Sequence, residues 1–209
     1  MANCCLNTLT IRGDEETIKK CLDQIKNDDE GAFIDFNNID PMPKELSEVI
    51  VSGSLKDDIK ILKKELSGEE LSAEEKEQLN SVRFDGKSNR ENAQKALHCK
   101  EHYGRYSWYD WHLAHWGATG NAYDSTLEWI TYHRKKACRI LFITPWEPPI
   151  RAMIKLSKQY PSLTFILKAE ESGNGVDFSD VFHNGQGTRL DSYQLHNELF
   201  ERYLDILMG

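Results

Sequence analysis

No run of apolar residues in this chain approaches the roughly 20 that a membrane-spanning helix needs, and no basic stretch near the N-terminus leads into an apolar one. Neither a bilayer span nor a secretory leader is expected, and the reading that follows is a cytoplasmic protein with no membrane role. Positive charge is also short: 26 Lys and Arg stand against 34 Asp and Glu, a formal charge of -8. Nonspecific binding to nucleic acid or to an anionic membrane is therefore disfavoured, because it depends on clustered cations displacing counterions. An acidic surface suits a basic protein partner instead. Cysteine is present without a pattern. Cys4, Cys5, Cys21, Cys99 and Cys138 are an odd, scattered set without CxxC spacing, which supports neither a disulfide framework nor a zinc knuckle nor an iron–sulfur cluster. Reduced, packed thiols are expected. Low-complexity tracts are lacking, and the one internal echo is between two weakly similar βαβ segments.

What the chain has in excess is aromatic residues in one place. From Tyr103 to Asp124 it reads YGRYSWYDWHLAHWGATGNAYD, with Trp108, Trp111, Trp116, Tyr103, Tyr106, Tyr109 and Tyr123 inside 22 residues. Tyr and Trp combine a large apolar body with a polar tip, so such a cluster belongs to a crowded sub-core or to a recognition surface.

At 209 residues the length suits one domain, or a small domain with a large insertion. Cys4 to Arg12 alternates as a strand and stops at Gly13-Asp14. Asp14 is placed to cap a helix whose stripe is Thr17, Ile18, Cys21, Leu22 and Ile25. Phe33 to Ile39 is expected as a second strand ended by Pro41-Met42-Pro43, giving an opening βαβ unit. ACRILFIT, Ala137 to Thr144, predicts another strand. Pro148 and Pro149 open a helix with Ile150, Met153, Ile154 and Leu156 on one face, and Ser162 to Ala169 supplies a further strand. The order β-α-β, insertion, β-α-β is that of an α+β, ferredoxin-like split βαβ sandwich.

The expected division is a single domain, 1–209, with its sandwich core at 3–42 and 137–170. The insertion, 43–136, is helical, aromatic-rich and acidic early on, and Leu127 to His133 is read as a strand able to pair with Cys138 to Thr144. A C-terminal extension at 171–209 follows, with turns at Gly173-Asn174-Gly175 and Gly185-Gln186-Gly187, a strand at Val176 to His183, and a closing helix, Tyr193 to Met208. The stripe of that helix, Leu195, Leu199, Tyr203, Ile206 and Leu207, can dock on the sheet or on a second copy in a homodimer.

The opening NCCLNTLTIRG, the segment DFNNIDPMP, YGRYSWYDWHLAHWG with NAYD after it, the FITPWEPP turn and YPSLTFIL together resemble the YubB ferredoxin-like family of plasmids and phages. The resemblance runs over nearly the whole chain, is specific at the aromatic block and the proline-flanked strand ends, and is weak through Lys44 to Lys100. Cys4 stands where the family pattern favours Trp, and Thr119-Gly120 where it favours Lys-Trp, so part of any shared aromatic site is absent here. The resemblance implies an accessory protein of a mobile element in a bacterial host, with no established catalytic activity. Inhibition of host defence follows by association only.

The chemical candidates are few. His98 with His102, and His112 with His115, present imidazoles at helical spacing, but zinc requires three or four convergent ligands, so no metal is assigned. Asp110 and Asp124 can orient a histidine, and Cys99 lies beside His98 and His102, without a catalytic context. The two GxG segments do not open a helix after a strand, so hairpin turns explain them better than phosphate loops. Phe36, Phe142 and Phe165 can stack bases only if exposed, and their runs look buried. The acidic stretch Glu65 to Glu77 can imitate a phosphate backbone against a basic groove.

The reading is a non-enzymatic binding protein without a cofactor, an acidic inhibitor of a basic host protein in defence or nucleic-acid handling. Its recognition surface or pocket is Arg105, Tyr106, Trp108, Tyr109, Trp111, His112, His115, Trp116, Asn121, Tyr123 and Asp124. The rival is a nucleotide-signal sponge or a nucleotide-processing enzyme that stacks a base on the same aromatics and meets phosphate with Arg105, His112 or His115. A third possibility is an assembly role through the terminal helix.

Overall fold

The computed structural model describes residues 3–27, 33–132, 135–171, 173 and 175–190. Contacts divide the chain into two compact units, Met1–Pro41 with His112–Gly209, and Met42–Trp111. The expected closing helix and its dimer stripe, 193–208, lie outside the described residues.

In the first unit, strand β1 (Cys4–Arg12) leads into helix α1 (Glu15–Ile25), β2 (Tyr123–Tyr132), β3 (Lys135–Pro145), a helix at Ile150–Gln159, β4 (Thr164–Glu171), β5 (Val176–His183) and β6 (Gln186–Leu190). The sheet order is β2-β3-β1-β4-β5-β6 with every neighbouring pair antiparallel. β1 to β4 with the two helices make the βαββαβ of a ferredoxin-like fold, and β5–β6 extends its edge by a hairpin. Alternation decides the faces. Leu9 lies opposite Ile140 and Leu167, and Ile11 opposite Cys138 and Phe165. All six are buried, as are Ile18, Cys21, Leu22 and Ile25 of α1 and Ala152, Met153 and Leu156 of the second helix. Each large apolar side chain so covered contributes about 1.5–3 kcal/mol. The opposite face carries Leu6, Thr8, Thr10 and Leu141, with Leu6 54% exposed.

The second core strand is not where the sequence placed it. Phe33 to Ile39 forms a single bridge, Lys26 to Ile34, and then a 3-10 turn, Phe36–Asn38. The Asp35 carboxylate accepts from Asn37 N at 2.8 Å and so turns the backbone out of an extended path. The place beside β3 is taken by β2, which lies near the end of the stretch expected as insertion, 43–136. The fold is therefore interrupted after α1, inside its first half, and not between two βαβ halves. β2 is irregular at its start, where Asp124 has φ 47 and the register with β3 shifts between Tyr123 and Thr126. At the other end, Asn184-Gly185 makes the turn and Gln186 already belongs to β6.

The second unit is helical: α2 (Leu55–Leu66), α3 (Ala73–Asn80), α4 (Asn89–Tyr103) and the opening of α5 (Trp108–His115), within which the boundary between units falls. By chain order the helix at Ile150–Gln159 is α6. Ser72 with Glu75 and Ser88 with Glu91 close reciprocal capping boxes on α3 and α4, and Gly104 ends α4 in the left-handed conformation. The core gathers Leu46, Val49, Ile59, Leu62, Leu79, Ala93, Ala96, Cys99 and Trp111. Two polar groups are buried with partners. Asp58 accepts from Ser54 Oγ at 2.9 Å and Gln78 Nε2 at 2.6 Å, and Asn92 pairs with both backbone polar groups of Ile50.

Candidate functional site

The aromatic block is divided between the two units. Tyr103, Arg105, Tyr106, Trp108, Tyr109 and Trp111 belong to the helical unit; His112, His115, Trp116, Asn121, Tyr123 and Asp124 belong to the sheet unit. Within the helical unit Trp111 is a core residue, and Tyr103, Tyr106 and Trp108 pack partly buried against that core. The ammonium groups of Lys63 and Lys100 sit 5.5 and 5.2 Å from the ring centroid of Tyr106. Lys63 also donates to its hydroxyl at 3.2 Å. Trp108 meets Tyr109 edge-on, and Tyr109 is 37% exposed. Arg105 Nη1 donates to Gly104 O at 3.4 Å.

In the sheet unit Trp116 is an interior residue, 1% exposed. It meets Phe36 edge-on at 5.7 Å, and His112 stacks on it with centroids 3.9 Å apart and planes 18° apart. Burial holds His112 below its usual pKa, so it is neutral, and its Nδ1–H donates to Thr119 O at 3.1 Å. Asn121 works as a bracket. Its Oδ1 accepts from Phe36 N and Ala122 N, each at 2.9 Å, and its Nδ2 donates to Asp35 at 2.6 Å. Tyr123 shares a hydrogen bond with Cys4 Sγ at 3.2 Å; that bond, with partial burial, pushes its hydroxyl up to about 12. Asp124 marks the irregular start of β2. For Trp111 and Trp116 burial decides between core and surface: both rings are packed inside their units.

One polar constellation was not foreseen. The His115 Nδ1–H donates to Asp40 Oδ2 at 2.8 Å, the Lys155 ammonium donates to the same oxygen, and Lys155 Nζ lies 3.1 Å from His115 Nδ1. Both cationic or donor groups point at one carboxylate, so the proton of a neutral His115 resides on Nδ1 and Nε2 is its basic nitrogen. The three side chains are 22 to 37% exposed. Trp116 Nε1 donates to Asp40 O at 2.9 Å, fixing the same residue from its backbone side. Local chemistry explains how α5 arrives there. Gly117 has φ 90, and a Cβ on it would lie 3.1 Å from the backbone nitrogens of Ile150 and Arg151. Only glycine lets the chain turn so close to the start of α6, whose Ala152 N–H is satisfied by Trp116 O at 3.0 Å.

The other candidates stand apart. His98 and His102 lie 4.1 Å apart on α4, and among the described residues no group of three or more metal-ligating side chains comes together. Burial raises the thiols of Cys21, to about 12, and of Cys5 and Cys138, to about 11; Cys99 is raised as well, by burial and then by Glu45 and Glu48. A nucleophilic thiolate at Cys99 is thereby opposed. Two grooves open in the helical unit. One, of about 550 Å³, is bounded by residues that include Asp57, Lys60, Lys64, Glu69 and Glu75; the other, of about 330 Å³, has Glu45, Glu48, Lys95, His98 and Cys99. Neither is lined by the aromatic block. Phe36, Phe142 and Phe165 are fully covered, which removes them as base-stacking platforms.

Residues 127–203 match the family described as a ferredoxin-like domain in Api92-like protein. The Api92-like match starts inside β2 and includes neither the aromatic block nor the helical unit, and the family it names is not YubB. The ferredoxin-like fold of the sheet unit is what the match and the topology share. No curated protein matches the chain. Among solved structures, the crystal structure of a protein api92 from Yersinia pseudotuberculosis is similar at 12% identity with a TM-score of 0.44, over 92% of this chain and 99% of that one.

Proposed function

We propose that this chain is a non-enzymatic binding protein whose helical unit engages a basic protein surface, acting as an inhibitor of a defence or nucleic-acid-handling protein. The observation that carries this reading is the partition of carboxylates in the helical unit. Glu48, Glu65 and Glu75 are held by Lys95, Arg90 and Lys64, whereas Asp57, Glu69, Glu70, Glu74 and Glu77 face solvent around α2 and α3. Between residues 42 and 111 there are 14 Asp and Glu and 12 Lys and Arg. On α2 the exposed Asp57 stands among exposed Lys56, Lys60 and Lys63, whereas residues 65–77 carry six Glu against the single Lys76. The acidity is therefore local to α3 and the connection before it, and such a patch gives orientation where net charge gives only attraction. The phage or plasmid origin rests on the YubB resemblance, and a bacterial cytoplasm follows from that origin.

The test is charge reversal. Glu70→Lys, Glu74→Lys and Glu77→Lys together are expected to abolish retention of a basic partner from bacterial lysate while leaving the far-UV circular dichroism unchanged. Retention indifferent to both the reversal and added salt would refute the reading. The rival, chemistry on or storage of a nucleotide, is favoured by one observation, the orientation of His115 by Asp40. Binding of ATP or a cyclic dinucleotide that Asp40→Asn weakens would transfer the assignment to it.

A further inference from the structure

The sheet has two faces, and α1 and α6 pack on the one that carries Leu9 and Ile11. On the other face the strand register places Leu6 and Leu141 toward one end, and a diagonal band of Leu190, Ser179, Val181, Thr164, Arg12 and Ala137 that runs from β6 to β3. The two groups differ in burial. Leu6 and Leu141 are 54 and 41% exposed, whereas the band is 0 to 8% exposed, with Val181 at 2% and Leu190 at 4%. Leu6 and Leu141 show how much water reaches a bare position on this face; the band is covered. Val181 and Leu190, with Ile166 against them, form a small apolar cluster of their own on this side, and no described helix of the sheet unit lies over it.

The band has a length and a starting point. It crosses from β6 through β5, β4 and β1 to β3, about 19 Å at about 4.8 Å per strand. Leu190 shares its row with Thr8, and Ala137 shares its row with Arg12, an offset of about 13 Å along the strands that makes the diagonal about 23 Å. Residues 193–208, wound as a helix, measure about 24 Å. The chain leaves β6 at Leu190, which is itself the first member of the band. The stripe Leu195, Leu199, Tyr203, Ile206 and Leu207 recurs at helical spacing and offers one apolar side to one covered band. The match to the ferredoxin-like domain in Api92-like protein also runs on to residue 203, past β6 and into this stripe, so the segment belongs with the sheet unit.

We propose that residues 193–208 of the same chain are what covers this face, docked diagonally as an amphipathic helix with Leu195 near Leu190 and Tyr203 toward Arg12. The sheet then has helices on both sides, and the band is closed to a base, to a peptide and to a second copy. This docking concerns the sheet unit alone and goes beyond the function proposed for the helical unit.

The experiment uses the full chain. Leu195 and Tyr203 are replaced one at a time by the photo-crosslinker p-benzoylphenylalanine, with Glu201, on the polar side of the stripe, as the control, and each is irradiated as a mixture of isotopically light and heavy chains. Position 195 is expected to form adducts within its own chain to β5 or β6, position 203 to β1, β3 or β4, and position 201 none. Ser179→Cys gives a second reading that needs no bulky residue. Its labelling by a maleimide, resolved by mass spectrometry from that of the exposed Cys4, should be slow, and about tenfold or more faster once Leu199→Asp is added. Adducts joining light to heavy chains would assign the face to a second copy, and adducts to the helical unit, or equal ones from position 201, would remove this occupant. Rapid labelling of Ser179→Cys alone, or labelling indifferent to Leu199→Asp, would likewise overturn the docking.

Discussion

At the scale of single residues, burial decides roles that composition left open. Trp116 fills the interior of the sheet unit, so Trp116→Ala is expected to lose about 3–5 kcal/mol by cavity formation, read from the urea unfolding midpoint. Trp116→Phe should lose less, since it keeps the contact with Phe36. His112 is neutral because burial holds its pKa below the ordinary 6.5. Its unfolded form therefore binds a proton that the folded form refuses as pH falls below about 6.5. Stability is expected to be full above that value and to decline beneath it, until the folded pKa is also passed. His112→Phe should flatten that decline when unfolding midpoints are compared at pH 8 and pH 5. An unchanged slope would mean that other groups govern the acid limb. These roles were hidden in the sequence for a simple reason. Trp116 meets Phe36 from the far side of the helical unit's sequence, and the Asp40 cluster joins His115 to Asp40 across 75 positions and Lys155 to Asp40 across 115; no local period reports such pairings.

At the scale of elements, the strands and helices with clear punctuation were legible. β1, α1, β3, α6, β4 and β5 were each announced by alternation or a 3.6 stripe with Gly, Asp or Pro at the ends. Phe33 to Ile39 misled because Ile34 and Phe36 are both buried and spaced like a strand, although Asp35 and Asn121 hold that backbone in a turn. β2 was read only in part because Asp124 breaks the alternation at its start and its outward positions, Thr126 and Glu128, are polar. The small hairpin at 82–88, where Val82 bridges Ser88 in antiparallel fashion, was missed altogether, although Asp85-Gly86 is a turn signal. Caps give the sharpest test of the helical unit. Ser88→Ala opens the capping box of α4 and is expected to cost about 0.5–2 kcal/mol, whereas the same change at Ser47, whose hydroxyl bonds only Lys44 O, should cost less. Denaturant titration of the two variants compares them directly.

At the scale of the whole molecule, protection against hydrogen exchange should follow the sheet order. β1 is flanked by β3 and β4 and carries the buried Leu9 and Ile11, so its amides are expected to exchange slowest, while Phe84 and Asp85 exchange among the fastest. Fast exchange throughout β1 would contradict its central place. The Asp40 cluster bears on the molecule's history as well. The chain leaves the sheet unit just after Asp40 and re-enters it at His112, and Asp40 is gripped by His115, Lys155 and Trp116. The two stumps of the interruption are thus tied together by the scaffold itself. Whatever is spliced between them inherits ends already brought close, and lengthening it adds only about 0.6 kcal/mol per doubling. A change in the length of the chain between Asp40 and α5 is therefore expected to leave the sheet unit's own closure intact, so long as α5 (Trp108–His115) is kept whole.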